Sequence, residues 1–217
     1  GLLYASAGWL LVALVWKLGA PFLAYPLAMG FALIAPFAAV GLYDASRSLE
    51  AGRPVTWSSV LTAWKTAPGQ LGFFGGILGF VFFVWLQLAL LLFMFFWGSN
   101  GIPPPSRFVQ TLLFTSHGLS LLVVGTIVGG VLAAVAFSIS VLSVPLLLTE
   151  RIDAVTAIRT SLVAVEKNPK PLALWAVLIA GFIALGIATL SVGLVVAFPL
   201  IGHATWHAFR DLTSPRE

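Results

Sequence analysis

The chain has 217 residues, of which 60% are hydrophobic and 8% are charged, and its mean hydropathy is +1.06. Water-soluble domains carry about 25% charged residues, so lipid rather than water is the predicted main solvent. The net charge of +4 comes from basic residues scattered between apolar runs, which argues against a nucleic-acid-binding surface. Because there is no cysteine, disulfides, thiolate catalysis and zinc–thiolate or iron–sulfur sites are excluded.

Long charge-free runs predict six membrane-spanning helices. A crossing needs roughly 20 apolar residues, and the runs that serve cover residues 2–16, 20–43, 70–97, 118–148, 171–189 and 190–209. The first run is short, which predicts that its helix begins upstream of Gly1, in a native amphipathic extension of roughly one to two dozen residues. The predicted fold class is all-α: a polytopic transmembrane helical bundle that forms a single domain over residues 1–217.

Two polar connections contain short amphipathic segments, residues 55–66 and 154–167. Each begins with a Val-Thr pair, ends near a lysine and a proline, and leads directly into a predicted spanning helix. The helices that return to the same side carry Pro36, Pro145 and Pro199 near their ends. These similarities predict a threefold helical-hairpin repeat of a surface helix, a helix going out and a helix coming back.

Charge is concentrated at one end of the predicted bundle. Nine of the 11 basic residues and all 7 acidic residues fall there, and only Lys17 and Arg107 fall at the other end. Because basic loops stay in the cytoplasm, we expect both termini and the two amphipathic segments to be cytoplasmic.

Small residues recur three or four positions apart in several predicted spans, which lets helix backbones approach closely in lipid. In the fifth span the small residues are alanines, from Ala176 to Ala188. Spacing alone leaves open whether such faces close the bundle or bind lipid or another protein. The glycines assigned to lipid or partner contact are Gly72, Gly76, Gly79, Gly125 and Gly129.

Two histidines four residues apart, His203 and His207, share one face near the polar end of the last predicted span. Such a pair can supply an axial ligand to haem iron, but two nitrogens are too few for a metal site without further ligands, so no metal site is assigned. Alternatively, both rings bond neighbouring carbonyls or lipid headgroups. We retain His203 and His207 as candidate cofactor-binding residues, and Trp206 and Arg210 as candidate lipid or partner contacts.

Signatures of catalysis are missing from the sequence. There is no phosphate loop, no G-x-S-x-G and no H-E-x-x-H motif, so no catalytic residue is predicted. No ionisable side chain lies in the middle of a predicted span, where Gln87 is the most polar residue. Because ion-coupled transporters place ionisable groups at that depth, this pattern disfavours such transport.

Three groups of residues resemble a known family: 41–47 with 49–52, 144–148 with 153–157, and 202–207. The chain is similar to a proteobacterial family of predicted integral membrane proteins of unknown function, some of which carry the label of a cytochrome c oxidase subunit I homologue. The resemblance implies a helical membrane fold and a bacterial inner-membrane location. A haem–copper catalytic subunit needs more metal-binding histidines than the 3 in this chain, so only an accessory or assembly role in such a complex stays open.

We therefore expect a non-catalytic membrane subunit or accessory factor of a larger energy-transducing complex, respiratory or photosynthetic. Its expected partners are membrane lipids, some of them bound, and other membrane-protein subunits, but not nucleic acid. One alternative is a transporter or lipid-handling protein that uses the inner mouth of the bundle. A second alternative is a haem-binding redox protein, which depends on the histidine pair alone.

Overall fold

The computed structural model describes residues 1–98 and 104–213. Every regular element within these ranges is helical and none is a strand, which confirms the all-α prediction. Short 3₁₀ turns occupy Pro21–Leu23 and Ala63–Thr66. The α-helices are α1 (Leu2–Lys17), α2 (Ala24–Leu33), α3 (Ala35–Ala38), α4 (Val40–Glu50), α5 (Trp57–Thr62), α6 (Pro68–Trp97), α7 (Pro105–Phe114), α8 (Ser116–Ser140), α9 (Ser143–Thr149), α10 (Ala154–Lys167), α11 (Pro169–Ala188) and α12 (Leu194–Thr213).

Three helical segments in the described ranges are long and apolar enough to cross a membrane: α6, the α8–α9 pair and α11. They correspond to the predicted spans 70–97, 118–148 and 171–189. Only 11% of the apolar window of α6, and the same share of that of α11, is buried inside the protein. Their remaining surface is apolar, so it is suited to contact with the hydrocarbon chains of lipids.

The predicted span 20–43 differs most from the structure, because it is divided into α2, α3 and α4. Breaks fall at Ile34 and Ala39, and Pro36 sits in the first turn of α3 between them. Proline has no amide hydrogen with which to continue the hydrogen bonding of a preceding helix, so α2 ends before it. The prediction of one continuous helix across residues 20–43 is therefore wrong.

The first and last predicted spans are also less regular than expected. α1 is a shorter apolar helix of 16 residues. α12 begins only at Leu194, after a turn in which Leu190 and Ser191 take left-handed φ angles of 52° and 65°. Its second half is polar, so it is not among the apolar spans. Six crossings and a threefold repeat consequently stay predictions.

Both amphipathic segments form helices whose N-terminal ends are capped by a side chain. The hydroxyl of Thr56 accepts from the amide of Ser59 in a capping box that begins α5. The carboxylate of Asp153 accepts from the amide of Thr156, at 2.9 Å, to begin α10. α10 coincides with the predicted segment 154–167, and α5 with the following 3₁₀ turn covers most of 55–66.

α10 also stabilises the break between α8 and α9. The buried hydroxyl of Ser161 donates to the carbonyl oxygen of Ser138 at 2.7 Å and accepts from the amide of Leu142 at 3.2 Å. An interrupted helix leaves backbone groups without partners, and away from water these groups need a replacement. The side chain of Ser161 supplies one on each side of the break, so α10 is docked against the bundle rather than free on its surface.

The core is built around α6, which packs against both α8 and α2. Leu71, Phe74 and Leu78 on its inner face are at most 1% exposed. Glycine permits the closest approaches: a Cβ on Gly30 would lie 2.4 Å from the ring of Phe82, which is closer than van der Waals contact allows. Dense packing of this kind positions α4, α9 and α12 together at one end of the bundle.

Candidate functional site

Ionisable side chains from α4 and α12 meet at the end of the bundle where α9 terminates. We call this group the inner polar cluster. It comprises Asp44, Ser46, Arg47, Glu50, His203, Trp206, His207 and Arg210. The motifs 41–52 and 202–207, singled out in the sequence, thus lie side by side.

The first contact of the cluster ties α4 to α9. A guanidinium nitrogen of Arg47 lies 2.6 Å from Oδ1 of Asp44, and the other terminal nitrogen donates to the carbonyl oxygen of Leu148. Carbonyls in the last turn of a helix lack an intrahelical partner and carry partial negative charge, so a cation is favourable there. Asp44 is only 7% exposed, and its pairing with Arg47 keeps a buried carboxylate compensated.

The second contact joins α4 to α12 through Ser46 and His203. Oγ of Ser46 lies 2.6 Å from Nδ1 of His203 and also 3.1 Å from the carbonyl oxygen of Leu42, to which the hydroxyl donates. A hydroxyl has one hydrogen. When that hydrogen goes to the carbonyl oxygen of Leu42, Nδ1 of His203 is the donor to Oγ of Ser46, and when the tautomer is reversed, Oγ donates to Nδ1.

The third contact centres on Glu50. Its Oε1 accepts from the indole nitrogen of Trp206 at 2.8 Å and lies 3.7 Å from Nδ1 of His207, while its Oε2 lies 3.5 Å from Nε of Arg210. Trp206 is 1% exposed. The ring is enclosed by this chain and its one donor is bonded to Glu50, so the contact with lipid or a partner stays a prediction.

The histidine pair does not share a ligand-binding arrangement in the structure. His203 contacts Ser46, whereas His207, whose side chain is 66% exposed, lies beside Glu50. In residues 1–98 and 104–213, no group of three or more His, Cys, Asp or Glu side chains is arranged to hold a metal ion. Haem binding through His203 or His207 stays a prediction. A Soret band in the visible absorption spectrum of the purified protein would support it, and the absence of that band would contradict it.

The five glycines assigned to contacts fall into two classes. Gly129 lies inside the bundle, where a Cβ would be 3.1 Å from the ring of Trp85, so its neighbour is this chain itself. At the remaining four positions, no atom lies within 4 Å of an added Cβ: Gly72, Gly76, Gly79 and Gly125. The first three lie on the exposed side of α6.

Sequence reasoning did not single out Ser46 or Glu50, although both fall in the motif around residues 41–52. Their partners are 157 and 156 positions away along the chain. Helical spacing reveals which residues share a face of α4 but not which helix will cover that face. The available signal was the polar stripe of α4, where an otherwise apolar chain places acidic, basic and hydroxyl side chains within seven residues, 44–50.

Comparison with family sequence profiles identifies the group to which the chain is related. A family described as "Predicted integral membrane protein (DUF2189)" matches residues 24–149, which is more than half of the chain. The chain belongs to the DUF2189 family. The match confirms the resemblance seen in the sequence, and it begins and ends with the structure's own elements, at the start of α2 and the end of α9.

Comparison of this DUF2189 chain with curated proteins and with solved structures found no match. The family match and the apolar helices together establish an integral membrane protein of a family of unknown function. The matched region contains the α4 half of the inner polar cluster, whereas α12 lies beyond it.

Proposed function

We propose that this DUF2189 protein is a non-catalytic subunit or accessory factor that packs against another membrane protein through the outward face of α6. The observation that carries the proposal is the open space over the glycines of that face. Gly72, Gly76 and Gly79 have no atom within 4 Å of an added Cβ, so none of the helices described in the structure uses the close approach that they permit.

The same face continues along the rest of α6. Exposed residues recur three, four or seven positions apart: Gly72, Gly76, Gly79, Phe83, Gln87 and Met94. This spacing keeps them on one stripe of the helix. A second helix lying along the stripe would meet backbone at the glycine end and long side chains at the other.

Gln87 supports coverage of this face by protein. It is exposed near the middle of a 30-residue apolar helix, at a depth where hydrocarbon offers no hydrogen-bond partner to its amide. Amide side chains at such positions bond across helix pairs, with a contribution of about 0.6–2 kcal/mol. A partner helix that carries a polar group opposite Gln87 satisfies the amide.

The non-catalytic role is supported by the inner polar cluster. Ser46 with His203 and Glu50 with Trp206 join α4 to α12. Arg47 pairs with Asp44 on α4 and also bonds a carbonyl oxygen of α9. We further propose a bacterial inner-membrane complex of the respiratory or photosynthetic apparatus as the partner, on the strength of the oxidase-related label carried by some members of the family that the sequence resembles.

Purification from native membranes in a mild detergent tests the proposal. We expect the wild-type chain to migrate on a native gel with other membrane subunits that mass spectrometry then identifies. Gly76→Leu fills the open space, so it should release the chain as a monomer with unchanged thermal unfolding.

Gly181→Leu is the matched control, because Gly181 on α11 is equally open but lies on a different helix. It should leave the assembly intact. A wild-type chain that migrates alone, or an assembly that survives Gly76→Leu, would contradict the proposal.

A further inference from the structure

A large cavity is lined by α1, α2, α8, α11 and α12, and it extends into the gap between α8 and α11. Its volume is about 470 Å³, and it is partly open to the surroundings. This size falls within the range of about 300–1,000 Å³ that is usual for ligand pockets in proteins. It is also several times larger than an apolar cavity of about 150 Å³ that stays dry and takes up benzene.

Two walls of the cavity, those of α8 and α11, include several small side chains. α8 contributes Gly130, Ala133 and Ala134, and α11 contributes Ala180 and Ala184. Stripes of this kind let helices pack closely, yet α11 packs mainly against α12 and the two stripes are held apart. The small residues therefore create room for something other than a neighbouring helix.

The lining of the cavity is neutral along its whole length. No charged side chain of the described residues lines it, and its hydroxyl groups at the inner end belong to Tyr43, Ser140 and Thr205. Two further hydroxyl groups belong to Tyr4 and Ser191, and the remaining side chains are apolar, including Phe31, Leu33 and Phe198. This lining suits a hydrocarbon chain and offers nothing to neutralise an ion.

The length of the cavity matches one leaflet of a bilayer. Along α8 the lining runs from Gly129 to Ser140, and along α11 from Ala176 to Ile187, which at 1.5 Å per residue is about 17 Å in each case. A hydrocarbon core is about 30 Å thick, so one leaflet contributes chains about half that long. The cavity reaches the inner polar cluster at Tyr43 and Thr205.

We infer that this cavity is a binding site for one hydrocarbon chain of a membrane lipid from the leaflet at the inner polar cluster. The chain lies between α8 and α11, with its headgroup end directed toward the end of the bundle where Tyr43 and Thr205 line the cavity. An empty apolar space of this size would forfeit dispersion contacts along both walls, whereas a lipid chain restores them without the desolvation of any charge. The site is separate from the outward face of α6 and does not rest on the proposed partner.

Photolabelling in a membrane tests this site. The wild-type protein is reconstituted in vesicles of palmitoyl-oleoyl phosphatidylcholine that contain a trace of palmitate with a mid-chain diazirine. After irradiation, labelled peptides are mapped by mass spectrometry. We expect label on residues 129–140 of α8 and 176–187 of α11 in excess of that on the outward face of α6.

Filling the cavity supplies the decisive comparison. Ala180→Phe should abolish most of the cavity label while the label on α6 persists, and Ala133→Phe on the opposite wall should do the same if Ala180→Phe fails to fold. Ala173→Phe is the control, because Ala173 is exposed on α11 but does not line the cavity. Cavity label no stronger than that on α6, or label that persists in both folded filling variants, overturns the inference.

Discussion

Glu50 shows how a single side chain joins the two halves of the chain. It accepts from a tryptophan that is buried almost completely and also lies near His207 and Arg210 at the protein surface. The two kinds of contact differ in energy. An exposed ion pair contributes about 0–1 kcal/mol, whereas a buried donor left without an acceptor costs about 1–3 kcal/mol.

Two substitutions of Glu50 separate these contributions. Glu50→Ala should lower the free energy of unfolding by about 1–3 kcal/mol, because the indole nitrogen of Trp206 loses its acceptor. Glu50→Gln keeps an acceptor oxygen and removes only the charge, so its loss should be below about 1 kcal/mol. Denaturant unfolding in detergent micelles measures both, and equal losses for the two variants would contradict this role of Glu50.

At the scale of an element, α10 depends on the charge state of its N-cap. Hydrogen bonds from the hydroxyl of Thr156, at 2.7 Å, and from its backbone amide lower the pKa of Asp153 below its ordinary value. Because the folded-state pKa is the lower one, the capping contribution is present above the pKa of a free aspartate, about 3.9. It is lost as the pH falls through the folded-state value.

Amide hydrogen exchange in the first turn of α10 measures this effect. As the pH falls from about 5 to about 1, we expect protection of the amides of residues 155–157 to decrease in the wild type, after correction for intrinsic exchange. Asp153→Asn retains a capping oxygen that does not titrate, so its protection should vary much less with pH. Pronounced loss of protection in both proteins would show that the cap is not the cause.

The same elements show what the sequence could predict. The bounds of α6, α10 and α11 follow from long uniform runs and from capping residues, which are local properties. Proline was a weaker guide: Pro36 lies between two helix breaks, whereas Pro199 is contained within α12. The difference depends on which neighbouring groups replace the lost hydrogen bond, as Ser161 does at the break before α9, and such neighbours belong to tertiary structure.

At the scale of the whole molecule, the contacts that define the candidate site are those the sequence could not supply. Ser46 and His203 are brought together over 157 positions, and the space between α8 and α11 is a consequence of how α11 pairs with α12. The small residues that line this space were visible in the sequence, but close helix packing and a cavity require the same residue types. Only the arrangement of helices distinguishes the two.

The orientation of the molecule in the membrane is the remaining property at this scale, and the structure makes it testable. α6 has 30 residues and is therefore about 45 Å long. It separates α5 and α10, at the end of the inner polar cluster, from α7 at the other end. Because basic residues are concentrated at the cluster end, we predict that α5 and α10 are cytoplasmic and that α7 is on the outer side.

Single cysteines can be introduced without background, since the chain has none. In intact cells stripped of their outer membrane, a membrane-impermeant maleimide should label Ser106→Cys on α7 directly. It should label Ser58→Cys on α5 and Thr160→Cys on α10 only after permeabilisation, because the bilayer excludes the charged reagent from the cytoplasm. The two cytoplasmic positions control for each other, since they lie in different amphipathic segments. Direct labelling of both, with protection of Ser106→Cys, would reverse the predicted orientation, and labelling of only one would show that α5 and α10 lie on opposite sides.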